Sequence, residues 1–273
     1  PAPPMPPLLP GVVVVRTAAE VSAVLATAAG PIDLFLPPGR MALGGAPVVV
    51  EAGVNATLRS EGEGATLDAG GRSRVVEVRG ALTLLVVRCT RGLAPAGRQG
   101  SLSGGGAIAV ADGGVLRMVD CWVSASATAA AVVPLLAISA DLAGRENAVA
   151  VAHATGEHGG GLSLAATATA ALVRTELTSL SAPVGAAVST QGALTLSQVR
   201  LDGAAAWLAA IAVSGAGQLS LWGSSLANVR ATLDVGALLV MPAAHASING
   251  STIANGHAAR VCNGPHVAPP PCA

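Results

Sequence analysis

The sequence predicts an all-β fold: a single-stranded parallel β-helix of about nine coils, closed at its N-terminal end by one α-helix. Three observations carry this reading. The composition is 52% hydrophobic and 11% charged, yet only 1% aromatic. Small and branched aliphatic side chains suit a thin core stacked in layers, where a compact globule would usually include large rings. The second observation is an apolar pattern that returns about every 25 residues. The third is a further short strand that precedes this pattern at a constant offset.

The pattern is an apolar pair at i and i+2 followed by an apolar residue at i+7. It starts at Leu82, Leu116, Ala170, Leu194, Leu219 and Ala246. Successive starts differ by 34, 54, 24, 25 and 27 residues, and the 54 is read as two coils of 27 with a degenerate coil between. The preceding strand is Ile108-x-Val110, Leu162-x-Leu164, Ala186-x-Val188, Ile211-x-Val213 and Leu238-x-Val240, each ending six residues before the start that follows it. Turn residues such as Asp112-Gly113-Gly114 and Gly215-Ala216-Gly217 fill the gap.

Alternating apolar positions give a strand with one buried face. A hairpin stack would bring the partner strand back within about ten residues. Here it returns after one full solenoid turn, so each coil pairs in parallel with the next at about 4.8 Å. No coil buries its apolar face alone, and stacking supplies the core. A leucine-rich repeat has a similar period but needs L-x-x-L-x-L-x-x-N, which the coils lack. Residues at equal offsets stack. Glu176 and Arg200 are therefore expected side by side facing outward, and Asn228 and Asn255 in a short ladder at a turn.

The first elements fit the same scheme. Residues 1–11 read as a Pro-rich linker from a longer protein. Thr17-Ala-Ala-Glu20 is a capping box opening a helix over 17–29, with Val21, Val24 and Leu25 on its apolar face. That helix would cover the open first coil, whose unpaired edges otherwise recruit other chains. Early strands follow at Ile32–Leu36, Val48–Val50 and Ala56–Leu58, and 58–68 is a turn-rich bend. The solenoid spans 12–260, interrupted at 90–105 and 124–161. Residues 261–273 form a Cys/Pro-rich tail in which Cys262 and Cys272 could close a disulfide loop. Cys89 and Cys121 read as two buried thiols.

Several function classes are set aside. Formal net charge is zero, with no Lys/Arg stripe and almost no stacking aromatics, which argues against nucleic-acid binding. The apolar stretch 127–140 contains Pro134 and falls short of a membrane span. No cofactor motif is present; Gly104–Gly106 and Gly159–Gly161 lack the residues of a phosphate loop. The group His153, Glu157 and His158 has no metal-ligand spacing. Asn55-Ala-Thr57 and Asn249-Gly-Ser251 are N-glycosylation sequons.

The helix over 17–29, the run Ile32-Asp-Leu-Phe-Leu-Pro-Pro-Gly39, the bend 58–68, Val76-Glu-Val78 with Leu82-Thr-Leu84, and Gly105-Gly-Ala-Ile-Ala-Val110 resemble the pectin-lyase-like right-handed β-helix proteins with polymorphic-membrane-protein-like repeats. The Ala/Gly-rich composition with Pro-rich flanks is similar to extracellular proteins of green algae. The resemblance implies a right-handed solenoid and an extracellular or cell-surface setting. It leaves activity open, because that superfamily includes lyases, hydrolases, adhesins and proteins without known activity.

Hydrolases of this type use Asn-x-Asp, an Asp-Asp pair and Gly-His-Gly, and none occurs here. No catalytic or metal residue is assigned. Exposed Trp stack on sugars, so Trp122 and Trp222 are candidate glycan contacts, with Arg174, Glu176 and Arg200 as polar companions. The first functional expectation is a non-catalytic extracellular spacer or adhesive surface whose partners are wall or matrix glycans or other matrix proteins. A carbohydrate-binding or polysaccharide-degrading β-helix is the second, and a self-assembling fibre module is the third.

Overall fold

The computed structural model describes residues 11–94, 104–128, 159–182, 184–206, 209–231, 236–254 and 257–258. The chain is a right-handed parallel β-helix built of four parallel sheets. The first two coils contribute strands in turn to sheets I, II and IV, and later coils also add a short strand to sheet III between those of II and IV. Sheet I has nine strands, from Val12–Val14 to His245–Asn249. Sheet II has eight, from Gly39–Ala42 to Thr252–Ala254. Sheet III has six short strands, from Leu93–Ala94 to His257–Ala258, and sheet IV seven, from Val48–Val50 to Leu238–Val240.

The register matches the sequence pattern in sheets I and II. Leu82 aligns with Leu116, Ala170, Leu194, Leu219 and Ala246, and Cys89 aligns with Val123, Leu177, Leu201, Leu226 and Ile253. All but the last member of each column lie in the core, at most 2% exposed. Fully burying a leucine contributes about 1.5–3 kcal/mol, so these columns form the main stabilising layer.

Two expectations about the repeat are corrected. The strand Val115–Val119 pairs directly with Thr169–Val173, so no degenerate coil lies between them. The 54-residue interval is therefore a single coil, because a strand can pair only with its immediate neighbour along the solenoid. The constant six-residue offset also fails once. The sheet IV strand of that coil is Val188–Thr190, with Val188 beside Leu162, and not the segment Ala186–Val188. Only Gln191 and Gly192 then separate it from the sheet I strand starting at Ala193, where neighbouring coils use four residues. Thr190 consequently points inward, fully buried, and its hydroxyl donates to the Gly192 carbonyl at 3.0 Å.

Helix α1 (Ala18–Thr27) follows the N-cap Thr17, whose hydroxyl accepts from the Glu20 N–H at 3.2 Å. Glu20 reaches back one residue further than the standard capping box, accepting from the Arg16 N–H at 2.6 Å. Val21 and Leu25 are buried against the first coil.

Corners between sheets need left-handed backbone. After sheet I the corner residues are Val86, Asp120, Arg174, Gln198, Gly223 and Gly250, all at φ between 46 and 56. After sheet II they include Arg91, Ala125, Ser179, Gly203 and Asn228. The residue after the sheet I corner carries a hydroxyl or thiol that caps its own turn in four coils, and is Val87 or Val199 in the other two. Cys121, Thr175, Ser224 and Ser251 each donate to the carbonyl two residues back. Asn228 is a corner residue as expected, and Asn255 lies outside the described residues. No helix among the described residues is long and apolar enough to cross a membrane.

Candidate functional site

The outer face of sheet II gathers the densest polar chemistry among the described residues. Its strands point Met41, Leu67, Cys89, Val123, Leu177 and Leu201 inward. Alternation therefore turns the residues between them to solvent. One outward column runs Arg88, Trp122, Glu176, Arg200 through four adjacent coils. The Arg88 guanidinium carbon sits 4.7 Å from the centroid of the Trp122 ring, a cation–π stack. Among the described residues Arg88 makes no ion pair. Glu176 and Arg200 lie 3.9 Å apart, as their shared offset predicts.

The second outward column holds Asp68, Thr90, Ser124, Thr178 and Asp202. The Ser124 hydroxyl donates to Thr90 Oγ1 at 3.2 Å. Asp202 accepts from Arg200 at 2.9 Å and from the Asn228 side-chain amide at 2.7 Å. Asp68 is almost wholly buried and stitches three coils together. It accepts from Arg40 on the coil before, from Arg91 Nε at 2.8 Å on the coil after, and from the Gly70 N–H at 2.9 Å. Burial pulls Asp68 toward its neutral form, but Arg91, the Gly70 N–H and Arg40 outweigh it and hold the carboxyl below its ordinary value.

The corner beside this face carries a bidentate pair. Arg174 donates to both Asp120 oxygens at 2.7 and 2.8 Å, and the guanidinium holds the Asp120 carboxyl below its ordinary value. Both residues sit in left-handed backbone, at φ 53 and 46.

Three of the sequence candidates thus share one column: Trp122, Glu176 and Arg200. Arg174 lies at the adjoining corner. Trp222 is separate: it ends a sheet I strand, 52% exposed, beside Ser197 and Asn249. Asn55 and Asn249 are both exposed on the outer face of sheet I. Cys262, Cys272, His153, Glu157 and His158 lie outside the described residues. Cys89 and Cys121 are free and buried. Burial pushes both thiols up, Cys121 to about 11, so neither is poised as a nucleophile.

Sequence reasoning missed Arg88, although it sits six residues past Leu82 as Trp122 sits six past Leu116. It also missed Asp68 with Arg40 and Arg91, whose partnership crosses coils of unequal length and leaves no fixed spacing. Among the described residues no group of three His, Cys, Asp or Glu could hold a metal.

No protein-family model matches the chain, and no curated protein sequence does. Solved structures with a similar fold include the pectin methylesterase of Aspergillus niger in deglycosylated form. It is 10% identical, with a TM-score of 0.47 and coverage of 90% of this chain and 87% of the other. Escherichia coli YbhC is 14% identical, with a TM-score of 0.45, covering 93% of this chain and 74% of the other.

Proposed function

We propose that the chain is an extracellular carbohydrate-binding β-helix, with the outer face of sheet II as its binding surface. The observation that carries this reading is the column of Trp122 under Arg88, followed by Glu176 and Arg200 on consecutive coils. An indole ring offers an apolar plane to sugar C–H groups, while guanidinium and carboxylate groups bond to hydroxyls. The coils repeat at about 4.8 Å, so these groups form a row along the solenoid axis suited to an extended chain. Arg88, with only the ring beneath it, favours a glycan bearing carboxylates.

Binding fits the face better than degradation. Glycoside hydrolysis needs one carboxylic acid that gives up a proton. Asp68 and Asp120 are held as anions by arginines, which suits them to positioning. The sequons at Asn55 and Asn249 belong to sheet I, so glycosylation there would leave sheet II clear. Matrix or wall glycans are the partners this reading implies. The spacer role stands second, supported by nine strands stacked without interruption in sheet I.

The test is calorimetric titration with acidic and neutral polysaccharides, run beside a reducing-sugar release assay. Acidic chains should bind, and Trp122→Ala or Arg88→Ala should weaken them about tenfold, in line with a lost aromatic or charged contact. Release of reducing ends would establish degradation instead. Silence from folded protein in both assays would leave the spacer role.

A further inference from the structure

We propose that Trp222 is a platform for an N-linked glycan on Asn249, its exposed indole packed against the proximal N-acetylglucosamine. The two residues are register partners on adjacent coils, each at the last position of its sheet I strand. Parallel neighbours lie about 4.8 Å apart. Alternation turns both side chains outward, since Leu221 and Ile248 hold the inward column before them. The pair therefore lies on the flank of the rod and needs nothing from its end. Trp222 is 52% exposed, and among the described residues no cation lies over it, unlike Trp122. A half-open indole gains from an apolar cover, and the C–H face of a sugar supplies one.

Asn249 opens the sequon Asn249-Gly250-Ser251 and is exposed. The local backbone leaves room beside it. Gly250 follows at φ 56, and Gly223 follows Trp222 at φ 54, so neither corner adds a side chain. A Cβ on Gly250 would meet only the Gly223 nitrogen, at 4.0 Å. The Ser251 hydroxyl is occupied with its turn: it donates to the Asn249 carbonyl and accepts from the Ser224 N–H, both at 3.1 Å. Ser197 lies beside Trp222 on the preceding coil, and Ser220 and Ser247 fill the adjoining outward column, so these positions are uncharged and offer hydroxyls to a sugar.

Asn249 Nδ2 donates to Ser247 Oγ at 3.3 Å. Glycosylation replaces one of its two hydrogens. Nδ2 bonds to C1 of a polyprenyl-diphosphate oligosaccharide, the C1–O bond breaks, the diphosphate leaves with the electron pair, and the amide proton passes to a base of the transferase. The second N–H keeps its bond to Ser247 and holds the amide beside the ring. Asn55 gives the contrast. Its register partners are Pro31 and Ala81, so a glycan there finds no aromatic plane. The inference rests on the extracellular part of the reading above, because the transfer belongs to the secretory route, and it is independent of sugar binding at sheet II.

The test secretes the full chain from a eukaryotic host behind a supplied signal and reads occupancy of each sequon by glycopeptide mass spectrometry. Asn249 should be occupied. Asn55→Gln, carrying the Asn249 glycan alone, should melt about 2–4 °C above the same variant made without glycans in bacteria, in line with one aromatic contact. Asn249→Gln should show no such gain between the two hosts, and Trp222→Ala in the Asn55→Gln chain should abolish it. Titration with acidic polysaccharide is read separately, so failure at sheet II and failure at Asn249 are distinguishable. An empty Asn249, equal gains from both sequons, or a gain that survives Trp222→Ala would overturn the proposal.

Discussion

The penultimate and last coils carry the same apolar pattern at the same offsets and differ almost completely in burial. Leu219, Leu221 and Leu226 are sealed in the core, while Ala246, Ile248 and Ile253 stand exposed one strand spacing away. Side-chain chemistry is nearly constant between them. What differs, among the described residues, is a following coil, so burial in a solenoid belongs to the neighbour as much as to the residue. The N-terminal end shows the other solution. There α1 packs over the first coil, and the second strand of sheet I and the first of sheet IV keep a dry interior: Leu34, Val48 and Val50 are at most 1% exposed.

Substitutions can break that contrast, and the largest effect falls in the middle of the rod. Leu172 is fully buried between Met118 and Leu196. Leu172→Ala should cost about 2–5 kcal/mol by urea denaturation, whereas Ile248→Ala in the open coil should cost under about 1 kcal/mol. Equal losses would mean that the last coil is covered in solution.

Glycine sharpens the comparison at fixed backbone conformation. Gly113 and Gly159 both have φ 73. A Cβ on Gly113 meets nothing within 4 Å, while one on Gly159 would lie 2.3 Å from the Leu162 carbonyl oxygen. Gly105 and Gly185 repeat that close approach three residues before their own sheet IV strands. Gly113→Ala should cost about 1 kcal/mol from backbone strain alone. Gly159→Ala should cost about 2–3 kcal/mol, since the carbonyl must also move. Thermal melts of the two variants separate the contributions.

Asp68 makes the N-terminal coils acid-sensitive. Its folded pKa is depressed, so its contribution is full above the unfolded value near 3.9 and is lost as pH falls through the lower folded value. Asp68→Asn should lower stability at pH 7 by about 2 kcal/mol, because Arg40 and Arg91 lose a shared buried anion but keep access to water. The deficit should shrink in acid. A variant whose deficit stays constant with pH would show that the three-coil stitch acts through shape and not charge.

The smallest effect is a gain. Val86 is β-branched and left-handed at φ 56 in a corner column that later coils fill with Asp, Arg, Gln or Gly. Val86→Asn should stabilise by up to about 1 kcal/mol, measured as a raised melting temperature.

Much of the rod was legible because its information is periodic. The columns headed by Leu82, Leu84 and Cys89 can be read from offsets alone, and so can the Glu176–Arg200 neighbourhood. The strands of sheet III could not be read, because two residues such as Ser181–Ala182 carry no pattern. The corners at Val86, Arg174 and Gln198 were equally silent, since their left-handed backbone is imposed by the coil on residues with no preference for it. The supposed degenerate coil shows the limit of counting: an interval of 54 fits two coils as well as one long coil.

By itself the sequence determined the solenoid, its axis, the inward columns of sheets I and II and the N-terminal cap. Local alternation and a repeat of coil length suffice for these, because stacking equal units in register is the one way to bury every apolar pair. Only the tertiary structure decided that Val115–Val119 and Thr169–Val173 are neighbours, that Asp68 unites three coils, that Arg88 lies over Trp122 and that Trp222 stands apart. Those relations join residues across coils of unequal length, where spacing along the chain no longer measures distance in space.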